Sequence, residues 1–168
     1  HHSSDAGARG DMAIAGLFGG MALANAGLGA VHGIAGPLGG MFTVPHGAVC
    51  AALLPHVVRG NVRALEERAP RSPVLDRYGE VLHLLTRGLD PLGEACRQPC
   101  TRQGEAEDLP CLLQSLVSEL DLPPLGSYGV SEKDLPELAH KAARASSMKA
   151  NPIDLTQQEI AAIAKAAI

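Results

Sequence analysis

Aromatic side chains are nearly absent from these 168 residues: there is no Trp, and Phe18, Phe42, Tyr78 and Tyr128 are the whole aromatic complement. That removes the stacking platforms on which single-stranded nucleic acids are held. Positive charge is also short, with 14 basic against 18 acidic groups and a net charge of -4. No basic footprint for a phosphate backbone follows from that balance, so nucleic acid is not an expected partner. Nowhere do apolar and polar residues alternate as in a half-buried strand. Neither a G-x-G-x-x-G after a strand nor a G-x-x-x-x-G-K phosphate loop occurs, and no dinucleotide fold is expected within the chain. No basic segment precedes the first apolar run, so no signal peptide is read at the start, and reduced thiols in the cytoplasm are the expectation.

Long apolar runs are few. Residues 12–31 contain Asn25 as their one clearly polar side chain, and no cluster of Lys or Arg flanks them to set a membrane orientation. They are read as a buried core helix rather than a membrane span. A second run, 48–58, is too short to span and carries Pro55 and His56. Four cysteines are present. Cys50, in an apolar helical run, reads as a small core residue. Cys96, Cys100 and Cys111 have no further His or Cys between 84 and 139 to complete a zinc shell, which argues against a site there.

What is present is aliphatic bulk. Apolar residues make up 46% of the chain, and a chain of this size hides roughly 70% of its unfolded surface when it folds. The periodicity predicts one all-α domain, a helical bundle over 1–168. A helix capped by Asp5 is expected to run to Val31, and Gly33–Gly40 to interrupt regular structure because Pro37 is awkward inside a helix. A second helix is expected over 46–64, leaving the core from Arg59 onward. Amphipathic helices are predicted over 74–86 and 109–120, separated by an irregular connection over 88–107. The pattern Ser131…Asp134 opens a helix to Arg144, and Thr156…Glu159 is a capping box ahead of a last helix. The longest helices should lie near 8–31 and 46–64.

Two histidines stand out, His32 in Ala-Val-His-Gly and His46 in Val-Pro-His-Gly. Both lie in apolar, glycine-rich surroundings that favour neutral imidazole, a good ligand for a divalent transition metal. Two ligands do not make a site, and from the chemistry of these residues alone core or capping histidines satisfied by backbone carbonyls are the favoured reading. His56, His83 and His140 read as structural or solvated.

The stretch from Asn25 to Ala48, including Gly-Leu-Gly-Ala-Val-His32-Gly-Ile-Ala-Gly-Pro-Leu-Gly-Gly-Met-Phe-Thr-Val-Pro-His46-Gly, closely resembles the signature of the iron-containing (group III) alcohol dehydrogenases. Leu53-Leu-Pro-His56-Val-Val-Arg-Gly-Asn61 resembles the helix that follows it, and Ser146 to Pro152 with the last capped helix resembles the family's C-terminus. The resemblance implies a C-terminal helical metal-binding domain, joined in the whole enzyme to an α/β domain that binds NAD or NADP. It implies Fe2+ or Zn2+ as Lewis acid in NAD(P)-linked oxidation of an alcohol or reduction of an aldehyde or ketone. By position it makes His32 and His46 metal ligands and Ser147 a lining residue of the substrate pocket. It leaves the catalytic and cofactor-binding residues unassigned. The family's other two ligands, an Asp and a His four apart on an earlier helix, have no counterpart, since position 9 is Arg9. The nucleotide-binding half is therefore expected to be absent, and the fragment inactive alone. Gly36 stands where many members carry a further histidine near the proton path. The alternative is a metal-free helical interaction or scaffold domain derived from the same family. Expected partners are a small alcohol or aldehyde in the whole enzyme, with no nucleic acid and no membrane; a homo-oligomer is left open.

Overall fold

The structure is a computed structural model that describes residues 4–87 and 102–168. Among the described residues there are seven α-helices and no strand: α1 (Ala6–Ala26), α2 (Ala30–Met41), α3 (His46–Arg68), α4 (Pro73–Arg87), α5 (Arg102–Glu119), α6 (Leu135–Ala143) and α7 (Gln157–Ala166). Short 3-10 turns at Leu125–Tyr128, Glu132–Asp134 and Ser146–Ala150 link the later helices. The all-α expectation holds.

Two apolar clusters organise the bundle around α3. The larger joins Ile34 and Leu38 of α2, Val49 and Leu53 of α3, Leu138 of α6 and Ile160 of α7. Each such side chain, fully buried, contributes about 1.5–3 kcal/mol. The smaller joins Val58 and Val62 of α3 to Leu82 of α4 and to Leu109 and Leu112 of α5. The expectation that α3 leaves the core at Arg59 is therefore corrected: Val62, Ala64 and Leu65 are buried beyond it. The charged residues of that stretch occupy the other side of the helix.

Two further expectations change. Gly33–Gly40 does not interrupt the chain; it lies inside α2. The cost of Pro37 is moderated by its neighbours, because Gly36 has no Cβ to meet the proline ring. Burial of Ala30, Gly33, Ile34, Ala35 and Leu38 then favours the helix over its local propensity. The break falls earlier, at 27–29, where Gly27 adopts φ 76° and α2 turns 98° from α1. Close packing on α2 also uses glycine: a Cβ on Gly33 would run into the Met148 side chain of the 146–150 turn.

Helix α1 is the second correction. It starts as expected, with the Asp5 carboxylate accepting from the Gly7 and Ala8 amides, but none of its residues is buried. Met12 and Phe18 are 72% and 63% exposed. Apolar composition states what a helix should cover, not whether a covering element lies within the same 168 residues. No single helix among the described residues is long and apolar enough to cross a membrane; α1 and α2 reach that test only as a pair, across their bend.

The remaining boundaries shift modestly. Helix α5 begins at Arg102 rather than 109, and α6 is preceded by a separate 3-10 turn in which the Asp134 carboxylate accepts from the Ser131 amide and hydroxyl. The Thr156–Glu159 capping box is present: the Glu159 amide donates to Thr156 Oγ1 at 3.2 Å and the Thr156 amide to Glu159 Oε2 at 2.6 Å. The expected irregular connection falls largely on residues outside the described ones, as do Cys96 and Cys100. Cys111 is an exposed free thiol.

Candidate metal centre

Helix α2 carries His32 in its first turn, and the short connection 42–45 brings the chain back so that α3 starts on His46. The two rings meet with centroids 5.4 Å apart and planes tilted by 48°. His32 is half-buried and His46 exposed. Burial first, and then the neighbouring His46, hold the His32 imidazolium below its ordinary pKa. The ring is thus neutral near pH 7, with a lone pair to offer.

One turn after His46, α3 places Cys50 on the same side. Its Sγ lies 3.5 Å from His46 Nε2. Donor atoms of His32, His46 and Cys50 all fall within 4.8 Å of one another. Cys50 does pack partly against the larger apolar cluster, and burial pushes its thiol pKa up. Reading it only as a core residue missed the neighbour four positions back, although the i,i+4 spacing on a helix was there to be used.

His32 and Cys50 open onto a cavity of about 460 Å³ whose walls are mainly apolar, including Leu28, Val31, Leu54 and Val57. At its far side sits a polar clamp absent from the sequence-based reading. Asn151 Nδ2 donates to Asn61 Oδ1 at 2.8 Å, and Asn61 Nδ2 donates back to Asn151 Oδ1 at 3.2 Å. Asn61 also donates to the Tyr78 hydroxyl at 3.3 Å. The two asparagines are 90 residues apart, and no local signal marks them as a pair.

Ser147 lies half-buried in the 146–150 turn, and the cavity takes its lining from Asn151, just beyond that turn, and not from Ser147. His56 is half-buried with its Nδ1 lacking a hydrogen-bond partner. Burial and then Arg59 lower its pKa. It faces cavities on the other side of α3, and His140 is exposed on α6.

The donor set fits a divalent transition metal in part: two imidazole nitrogens and one sulfur converge on a partly dry wall. Comparison with known proteins decides the lineage. Residues 1–168 match the C-terminal region of the Fe-containing alcohol dehydrogenase family. The chain belongs to that family. It is 34% identical over 157 residues to a 1,3-propanediol dehydrogenase of Klebsiella pneumoniae, covering 93% of this chain and 36% of that protein. It is 33% identical over 168 residues to alcohol dehydrogenase 4 of Schizosaccharomyces pombe, covering 99% of this chain and 35% of that one. A crystal structure of 1,3-propanediol oxidoreductase superposes with a TM-score of 0.77 at 34% identity, over 94% of this chain and 37% of its own. An alcohol dehydrogenase from Oenococcus oeni superposes with a TM-score of 0.71 at 27% identity, over 89% of this chain and 35% of its own. This member of the iron-containing alcohol dehydrogenases thus spans about a third of the length of these relatives.

Proposed function

We propose that this chain is the metal-holding helical part of an NAD(P)-linked alcohol dehydrogenase or aldehyde or ketone reductase, with His32 and His46 among the ligands to Fe2+ or Zn2+. The observation that carries the reading is the meeting of the two rings, 5.4 Å apart, beside a largely apolar cavity. A divalent metal, when bound, supplies Lewis-acid polarisation of an alcohol or carbonyl oxygen.

The chain's own residues account for the remaining functions. Neutral imidazole at His32 offers its lone pair without first losing a proton. The apolar walls exclude water and accept the carbon skeleton of a small alcohol or aldehyde. Gly36 is exposed and carries no proton-transfer group, so proton exchange with the substrate oxygen runs through solvent or another side chain. Ser147 is retained as a substrate-side candidate in the completed site. The uncovered apolar surface of α1 supports the same reading, because it is the kind of face a second domain covers. The free thiols of Cys50 and Cys111 suit a reducing, cytoplasmic setting.

Positioning of the nicotinamide against the substrate carbon is worth up to ~7–11 kcal/mol of the barrier, and that positioning is assigned to a domain other than this one. A nicotinamide absorbance trace with short alcohols and aldehydes, with Fe2+ or Zn2+ added, tests the proposal. The 168-residue chain alone should give no turnover. A longer protein carrying it should be active, and His32→Ala or His46→Ala should each reduce it to background. Robust turnover by the chain alone would overturn the division of labour. Activity indifferent to both histidines would leave a metal-free scaffold instead.

A further inference from the structure

We propose that the groove between α3 and α7 at His56, Arg59 and Arg63 is a separate binding site, and that its ligand is a small phosphate monoester. The groove lies on the other side of α3 from the cavity beside His32 and Cys50. It is independent of the metal centre and of the reading built on it.

Charge is the first support. His56, Arg59 and Arg63 follow at i, i+3 and i+7, so they share one face of α3 within about 10 Å of its length. Like charges one turn apart on a helix oppose each other, yet a chain of net charge -4 gathers three bases here. Elsewhere bases find carboxylates: Arg68 pairs with Glu159, Lys141 with Glu137 and Lys165 with Glu132. Among the described residues neither Arg59 nor Arg63 does. Arg59 is half-buried, and the contact it makes is to Cys111 Sγ at 4.0 Å, a weak acceptor. Its desolvation is therefore not offset by a carboxylate, and an anion in the groove would offset it. His56 Nδ1 is buried and without a hydrogen-bond partner. Burial and then Arg59 disfavour its imidazolium, and an anion set between the two rings of charge opposes the second of those effects.

Shape is the second support. A Cβ on Gly60 would stand 2.6 Å from Ile163 Cδ1, so α7 approaches α3 closely at that point. The cavity beside this contact holds about 300 Å³, the small end of the range that takes small molecules. Ala162, Ile163 and Ala166 of α7 give it an apolar wall. At the far end Glu159 is engaged by Arg68 at 3.2 Å, and Glu67, one turn beyond Arg63, is the lining carboxylate without an ion pair among the described residues. A carboxylate ligand is satisfied by one guanidinium fork. The three free oxygens of a phosphate monoester can take two forks at once, and its carbon part can lie against the α7 wall.

The test titrates the 168-residue chain with phenyl phosphate and with inorganic phosphate at constant ionic strength in chloride. Phosphorus NMR line broadening gives the affinities, side-chain NMR of arginine and histidine locates the site, and circular dichroism reports helix content. The expected result is saturable binding at one site, tighter for phenyl phosphate, with the His56 ring signals shifted. Arg59→Gln and Arg63→Gln should each weaken binding about 10-fold or more. Glu67→Gln, which removes the unpaired carboxylate, should strengthen it. Arg144→Gln, the same change of charge at an exposed position on another element, should leave it unchanged. Arg63 is exposed, so its variant decides the matter if Arg59→Gln does not fold. Binding that never saturates, or that Arg144→Gln weakens as much as Arg63→Gln, would show attraction without a site and overturn the inference. Inorganic phosphate bound as tightly as phenyl phosphate would overturn the choice of an ester and leave a site for the free anion. Loss of metal binding in the His32→Ala variant with phosphate binding intact would confirm that the two sites are separate.

Discussion

The side-chain amide of Asn151 ties the start of α2 to the middle of α3. Its Oδ1 accepts from the Ala30 amide at 3.0 Å, and its Nδ2 donates to the Ile153 carbonyl at 2.7 Å as well as to Asn61. The residue at the N-cap of α2 is Gly29, which has no side chain to cap with. Asn151 therefore caps the helix from 121 residues away in sequence, two positions before His32. Asn61 is 3% exposed, so its Oδ1 has little water to turn to if Asn151 is truncated. A buried polar group left unpaired costs about 1–3 kcal/mol. Asn151→Ala is expected to lower stability by about 2 kcal/mol or more, read as a shift in the urea midpoint at constant slope. A loss under about 0.5 kcal/mol, the range of ordinary surface substitutions, would show that the clamp is open in solution.

At the scale of the element, two glycines near the ends of one segment should respond oppositely to the same substitution. Gly27 has φ 76° and ψ -175°, a region that is essentially glycine's alone. A Cβ there would also stand 3.1 Å from Ala150 Cβ. Gly27→Ala is expected to cost about 1–3 kcal/mol and to disturb the bend that sets α1 against α2. Gly39 lies exposed inside α2, and a Cβ there would meet nothing within 4 Å beyond its chain neighbours. Gly39→Ala should instead stabilise by roughly 0.5–1 kcal/mol, because alanine loses less backbone freedom in a helix. Paired denaturation curves check both signs, and a destabilising Gly39→Ala would mean that α2 is not helical at that point.

For the molecule as a whole, the uncovered α1 is the dominant surface feature. Leu17 and Phe18 are each 63% exposed, and no residue of that helix is buried. Contiguous apolar surface of this kind drives association in water. The isolated chain should self-associate in a concentration-dependent way by sedimentation velocity. The double substitution Leu17→Lys and Phe18→Glu should reduce that association while changing unfolding free energy by no more than about 0.5 kcal/mol. Marked destabilisation would show instead that α1 folds back onto the bundle.

Fold class was legible in the sequence because apolar period, Asp5 and the Thr156–Glu159 box are local signals, each acting within a turn or two of helix. The signature around His32 and His46 carried the lineage in the same way. Tertiary structure decided what depends on distant partners. Pro37 sits within a helix because Ile34 and Leu38 find a buried cluster, an energy that local propensity does not contain. Helix α1 stays uncovered because burial needs a second surface as well as an apolar first one. The cap of α2 comes from Asn151, and the approach of His32 to His46 depends on how α2 and α3 pack. Local sequence determines which conformation each segment prefers. Which side chains meet across the bundle is set by packing between segments far apart in the chain.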